Sequence, residues 1–411
     1  MTSGRRRVAI TGLGLATPIG HTLDAVRDAL TAGRHGIRPQ PDWDRHEELL
    51  TRLGASVEGL DLARWPRKTI RTMGRVARLA AHATEEAVAD AGLESHVVQS
   101  GRTGLAYGST HGSSAALERF ALTLETPNAL LGLGSAGYLQ FMSHTCAVNL
   151  ATFLGIRGRV LTTCSACVSG SQALGLGYET IRYGIQDVMI CGGAEELHYV
   201  STGVFDVLQA TSTKYNAEPD ASPRPFDRDR DGLVVGEGAG TLVLEEWERA
   251  KKRGAPIYGE IIGFGTSCDG THVTAPSSDG MAMAMRHALE DAELSPEDVG
   301  YINAHATGTE VGDRGESRAT WSVFGESVPV SSTKGHTGHT LGASGAIEAA
   351  FSLVMMREGF LASNRNLDTP DPECASLDYV RGDVREARPR VVMSNNFAFG
   401  GINTSLLVRA A

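Results

Sequence analysis

RVAITGLG (Arg7–Gly14) and YGEIIGFG (Tyr258–Gly265) are two versions of one phrase, a short β-rich apolar run ending in G-x-G. Each reads as a buried strand running into a glycine turn. The surroundings of the two copies repeat as well. AAHATEEAVADAG (Ala80–Gly92) has helical spacing and leads to a strand at Thr103–Tyr107; AMAMRHALEDAE (Ala282–Glu293) has the same spacing and leads to Gly300–Ala304. GEGAGTLVL (Gly236–Leu244) echoes FGGINTSLLV (Phe399–Val408). β-Rich runs alternating with helical segments are the mark of packed α/β layers. The expectation is therefore an α/β chain of two related halves, residues 1–255 and 256–411, divided near the charged, solvent-seeking stretch Glu245–Pro256.

Composition narrows the class. With 411 residues, 41% of them hydrophobic, large cores can form without disulfide or metal staples. No apolar run approaches the roughly 18 residues of a membrane span. A net charge of −10 argues against a nucleic-acid binder held by phosphate contacts. Arg5-Arg6-Arg7 followed by Val8-Ala9-Ile10 imitates a secretory leader. Gly12, Gly14 and Pro18 break the run too early, so Arg7–Thr11 reads as a buried first strand. Six scattered cysteines suit free thiols in a reducing cytoplasm.

Two familiar motifs fail on context. Gly132–Gly137 fits G-x-G-x-x-G, but the preceding Pro127–Leu131 is a poor strand and no acidic residue follows at ribose distance. Cys164-Ser-Ala-Cys167 is a C-x-x-C without a second pair or histidines at zinc spacing. No nucleotide, redox or metal cofactor is expected from these.

The chemistry gathers elsewhere. Arg159–Thr163 is a β-rich run and Ser169–Tyr183 a helix, so Cys167 falls at a strand-to-helix elbow, where the helix end favours a thiolate and lowers the thiol pKa. A buried, inert cysteine is an equal reading of that residue alone. NAHATGT (Asn303–Thr309) and SSTKGHTGH (Ser331–His339) each end an apolar strand with imidazole among Gly and Thr, and His336 reads as structural. SNNFAFGG (Ser394–Gly401) is a further glycine-edged turn suited to aiming N–H groups at an oxyanion.

On Ser165–Gly170, His305-Ala-Thr, Ser332-Thr-Lys334, Thr337-Gly-His339 with Leu341-Gly342, and Phe397–Gly401, nearly the whole chain resembles the elongating type I/II β-ketoacyl-acyl-carrier-protein synthases. That resemblance implies a thiolase-like fold with duplicated α-β-α-β-α layered halves, usually a homodimer. It implies Cys167 as the acyl-accepting nucleophile, with His305 and His339 assisting decarboxylation of a malonyl carrier as neutral imidazoles. Lys334 would order the site with Glu348 as its buried partner, and Phe399 would supply an oxyanion N–H and a gating ring. Thr307 and Thr309 would touch the pantetheine arm. Asn303, Glu348, Ser394 and Asn395 match a monovalent-cation site of some members. The partner implied is an acyl carrier protein, docked on Arg67, Lys68 and Arg71 with Lys214 joining, a basic patch on an acidic chain. His111 falls at the floor of the acyl pocket, where it would suit a shorter, polar or conjugated chain, or point away into a dimer contact.

The resemblance is not uniform. Ala306 and Ala398 stand where the family usually has glycine. A thiolase would need a second active cysteine, and an initiating synthase would carry Asn in place of His339. A non-catalytic chain-length subunit would have lost Cys167. Partnership with such a subunit in a specialised polyketide or aryl-polyene pathway remains open for an active chain.

Overall fold

The computed structural model describes residues 4–127 and 134–411, so Gly132 and Leu133 of the failed dinucleotide motif lie outside the described residues. Ten strands form the core. In the first half they are β1 (Val8–Ala16), β2 (Thr103–Gly108), β3 (Val160–Thr163), β4 (Val188–Glu195) and β5 (Gly238–Glu246). In the second they are β6 (Gly259–Cys268), β7 (Tyr301–Asn303), β8 (Pro329–Ser331), β9 (Val391–Ala398) and β10 (Ile402–Ala410).

Spatial order is β3-β2-β4-β5-β1 in one half and β8-β7-β9-β10-β6 in the other. Both halves pair their first three strands in parallel and their last two antiparallel. The repeated phrase joins them: β1 pairs antiparallel with β6 through Val8 with Ile261, Ala9 with Glu260 and Ile10 with Gly259. The two copies of one strand thus meet at the centre of an eleven-stranded sheet, which a short edge strand, Asp378–Tyr379, completes beside β8.

Five helices make the layers: α1 (Arg75–Asp90), α2 (Ser169–Arg182), α3 (Ser278–Ala292), α4 (Glu310–Phe324) and α5 (Ser344–Glu358). Helix α1 covers β1 and β5 on one outer face; α3 covers β6 and β10 on the other. Helices α2 and α5 pack on each other and on strands of both halves, forming the middle layer. Every residue of α5 from Ser344 to Met356 is buried, as a helix between two sheets requires.

The glycine turn expected at the end of β1 is not there. The strand continues through Gly12 and Gly14 to Ala16, its pairing with β5 shifting register once between Ile10 and Gly12. A Cβ on Gly12 would lie 2.3 Å from the Ala87 carbonyl oxygen, and one on Gly14 would lie 1.9 Å from that of Ala83, both in α1. In the second half, Gly263 and Gly265 stand against the Ala288 and Ala284 carbonyls of α3 at 2.4 and 2.1 Å. The repeated glycines therefore let a helix backbone touch a strand, and alanines supply the matching shallow face. Glu245 also departs from the solvent-seeking reading: it is fully buried, ion-paired with Arg249 and Arg253 at the end of β5.

Candidate active site

Strand β3 ends at Thr163, and a single turn of 3₁₀ helix, Ala166–Val168, leads into α2. Ala166 adopts φ +49°, a left-handed conformation uncommon for a side-chain-bearing residue, immediately before Cys167. Ser169 pins the elbow: its hydroxyl accepts from the Ser165 N–H at 2.9 Å and donates to the Ala166 carbonyl at 2.7 Å. The sharp turn presents Cys167 to a cavity of about 400 Å³.

The two histidines arrive from the other half. His339 is clamped onto the first half by its backbone, donating to Val234 O at 2.7 Å and accepting from Gly236 N at 2.9 Å. That clamp brings its Nε2 to 3.0 Å from Cys167 Sγ, while Nδ1 stands 3.1 Å from the Ser344 hydroxyl at the start of α5. His305 follows β7, its ring at right angles to that of His339 with centroids 5.1 Å apart. One atom from each of Cys167, His305 and His339 lies within 4.8 Å of the others.

Lys334 is fully buried and ion-pairs with Glu348 of α5, whose second oxygen accepts from Asn396 Nδ2 at 2.7 Å. On α5 the polar Ser344, Glu348 and Ser352 recur every fourth residue, a stripe facing the site on an otherwise apolar helix.

Electrostatics follow from burial. Desolvation, with Lys334 adding to it, holds both His305 and His339 well below their ordinary pKa, so both rings are neutral. The thiol departs from expectation. Burial pushes Cys167 up to about 12, outweighing the pull of Lys334, so the resting group is a thiol.

Two acids that the sequence reading missed hold the His305 loop. Glu316 of α4 accepts from the N–H groups of His305 and Ala306, at 2.8 and 2.6 Å, and Asp313 accepts from Thr307 N at 3.0 Å. Burial pushes Glu316 up to about 8, against those N–H groups and Lys334. Their spacing, three residues apart on a helix just after a histidine loop, was the available signal.

Thr307, Thr309 and Phe399 line the cavity with Cys167, and the Phe399 ring stacks obliquely on Phe205 at 5.4 Å. Ala306 and Ala398 line it too. Neither has positive φ; the turn that demands it falls on Gly400 and Gly401, at +89° and +71°. The methyl groups are thus accommodated without backbone strain. Lys214 sits at the cavity edge, its N–H donating to lining residue Asp231 at 2.8 Å. Arg67, Lys68 and Arg71 are exposed but do not line the cavity; the neighbouring Arg64 and Arg75 are engaged with Glu85 and Glu237. His111 is half-buried away from the cavity lining, between Thr110 Oγ1 at 3.0 Å and Ser114 Oγ at 2.8 Å. Cys164 is exposed and unpaired with Cys167.

Around the residues read as a cation site, Asn303 Oδ1, Ser394 Oγ and Asn396 Oδ1 are buried without a hydrogen-bond partner among the described residues. Ser394 and Asn396 share one face of β9. Asn395 lies on the opposite face, its oxygen taken by the Ser405 hydroxyl at 2.8 Å.

Comparison with known proteins now identifies the architecture. Residues 5–250 match the β-ketoacyl synthase N-terminal domain and residues 258–368 its C-terminal domain. The chain belongs to the β-ketoacyl synthase family. It is 39% identical over 414 residues to a 3-oxoacyl-[acyl-carrier-protein] synthase 2 of Synechocystis, covering 98% of this chain and 97% of that one. Among solved structures, a β-ketoacyl synthase from Burkholderia phymatum superposes with TM-score 0.96 at 51% identity, covering 99% of this chain and 100% of that one. The ishigamide ketosynthase/chain length factor superposes with TM-score 0.92 at 33% identity, over the same shares. The thiolase-like fold expected from sequence is the fold observed. Among the described residues no helix is long and apolar enough to cross a membrane.

Proposed function

We propose that the chain is a β-ketoacyl-[acyl-carrier-protein] synthase performing decarboxylative Claisen condensation. The observation that carries this is a buried thiol within reach of two neutral imidazoles in one cavity. Cys167 is the nucleophile. As sulfur attacks an acyl-carrier thioester, its proton passes to His339 Nε2 and then to the departing pantetheine thiol. N–H groups of Cys167 and Phe399 hold the oxyanion, and Thr307 and Thr309 guide the pantetheine arm.

A malonyl carrier then enters. His305 and His339 donate to its thioester carbonyl, so that carbon dioxide leaves and the electron pair remains as an enolate. The enolate carbon attacks the acyl-Cys167 carbonyl; the new carbon–carbon bond forms as the carbon–sulfur bond breaks, releasing Cys167 as a thiolate that takes up one proton from solvent to restore the thiol. Lys334, neutralised by Glu348, keeps both imidazoles neutral and placed. Asn303, Ser394 and Asn396 offer buried oxygens that fit a monovalent cation beside the Lys334–Glu348 pair.

Residues 1–255 and 256–411 are the two halves of this machine, one giving the thiol and the other the imidazoles. The carrier docks on Lys214 at the cavity edge and on the exposed cations Arg67, Lys68 and Arg71. The working unit is a dimer of two copies, with a chain-length-factor pairing as the second reading, favoured by the likeness to the ishigamide complex. Six free thiols suit a reducing cytoplasm.

The test is incubation with malonyl carrier and a panel of acyl carriers, reading intact mass on Cys167. Acylation of the wild type and none of Cys167→Ala supports the reading. Failure with every chain, alone or with a partner subunit, overturns it.

A further inference from the structure

Thr307 and Thr309 stand in a stretch of chain with no strand or helix of its own, between β7 and α4. Thr309 occupies the position just before the first turn of α4, yet its hydroxyl caps nothing there and meets Thr307 Oγ1 at 3.1 Å instead. Both residues line the cavity, and Asp231, Gly232 and Leu233 line it from a second segment. The two segments touch at one backbone hydrogen bond, from Gly232 N–H to the Gly308 carbonyl at 3.1 Å, and both glycines have positive φ. A single bond between two glycine bends does not fix a loop, so the rigidity has to come from behind it.

Arg230 is placed to supply it. Its side chain is 1% exposed, so it is out of reach of any substrate. Nε donates to the Thr309 carbonyl at 3.2 Å and Nη2 to the Glu310 carbonyl at 3.1 Å, while Nη1 donates to the Asp227 carbonyl at 2.7 Å. Asp371 holds Nη2 at 2.7 Å. Asp313, 3.7 Å from Nε, accepts from Thr307 N and Gly308 N at 3.0 and 3.2 Å. A cation at the N-terminal end of α4 opposes the helix dipole, so helix stability does not account for it. The planar fork does account for it, because it reaches three carbonyls at once where an ammonium is a single point charge. Resting on the reading above in which Thr307 and Thr309 guide the pantetheine arm, we propose that Arg230 is a positioning residue for carrier substrates. It ties the Asp231–Leu233 segment to Thr307–Thr309 and so places the two hydroxyls that meet the arm.

Arg230→Lys keeps the charge and loses the fork. It should raise KM for acyl carrier about tenfold with kcat within about twofold, the pattern of one hydrogen bond to the arm lost equally from ground and transition states. Alkylation of Cys167 by iodoacetamide should keep its wild-type rate, because the thiol and both imidazoles are untouched. Arg314→Gln removes a partly exposed partner of the same Asp371 and should leave KM unchanged. Asp371→Asn loosens the guanidinium without removing it; it should raise KM about threefold, and it carries the test where Arg230→Lys does not fold. In a Thr307→Val/Thr309→Val background, itself raised in KM, either change should add less than about twofold. An unchanged KM, an equal rise in Arg314→Gln, slowed alkylation, or a full effect that survives in the valine background overturns the inference. A valine background with wild-type KM overturns the threonine reading beneath it. A wild type that never acylates Cys167 overturns the ketosynthase reading itself, so the failures are separable.

Discussion

Replacing Lys334 by Met strands the Glu348 carboxylate in the middle layer. Lys334 and Glu348 side chains are 1% and 3% exposed, so no water can replace the lost ammonium. Removing one partner of a buried pair typically costs about 3–5 kcal/mol. Protonation sets a ceiling on that cost. Neutralising a carboxyl of ordinary pKa about 4.3 at pH 7.5 takes about 4 kcal/mol, at 1.36 kcal/mol per pH unit. With an unfolding entropy of about 0.9 kcal/mol/K for 411 residues, Lys334→Met should melt about 4–5 °C below wild type at pH 7.5. The sign with pH is fixed by the same argument. As pH falls the stranded carboxyl is protonated more cheaply, so at pH 5.5 the deficit relative to wild type should shrink to about 2 °C. The double variant Lys334→Met/Glu348→Gln carries no stranded charge and should recover most of the stability at both pH values. Scanning calorimetry of wild type, both single variants and the double variant completes the cycle. A Lys334→Met deficit that is independent of pH, or a double variant no more stable than Lys334→Met, would refute the reasoning.

Gly14→Ala and Gly265→Ala should each destabilise by about 1–3 kcal/mol or more, because each Cβ meets a helix carbonyl. Gly137→Ala, with nothing within 4 Å, should be neutral or slightly stabilising; equal melting of all three would sink the close-approach explanation. Charge reversal at Lys68 and Arg71 should raise KM for carrier-bound substrate about tenfold, more at low salt, with kcat and melting unchanged. A change in melting alone would discard the docking role. Burial raises Glu316 to about 8, so its stabilising protonation is complete below the ordinary carboxylate range and is lost as pH rises through 8. Wild type should therefore lose more melting temperature than Glu316→Gln between pH 6 and 9, and parallel losses would contradict the assignment.

Much of the fold was legible because duplication writes itself twice. The β1 and β6 phrases, their following helices and the β5 and β10 glycine runs each appear in two places, and the structure gives both halves one strand order. The use of the glycines was not legible. A pair of glycines at the end of an apolar run reads locally as a turn, and only the helix backbone above the strand shows why Gly14 cannot carry a side chain. The cysteine, histidines and lysine were visible as residue types at strand ends. Glu316 and Ser344 were not, since an acid on an amphipathic helix and a serine at a helix start have ordinary local explanations.

By itself, then, the sequence determined the layered α/β plan, its duplication and the residue types proposed to carry the chemistry, because periodicity and side-chain chemistry are local properties. Tertiary structure decided their state. Cys167 and His339 are 172 positions apart and become partners only where Val234 and Gly236 clamp the second half onto the first. Burial, which no local stretch encodes, keeps the thiol protonated and the imidazoles neutral. A thiol that reads as a thiolate from its place at a helix end is held protonated once it is buried, because desolvation outweighs the opposing pull of Lys334.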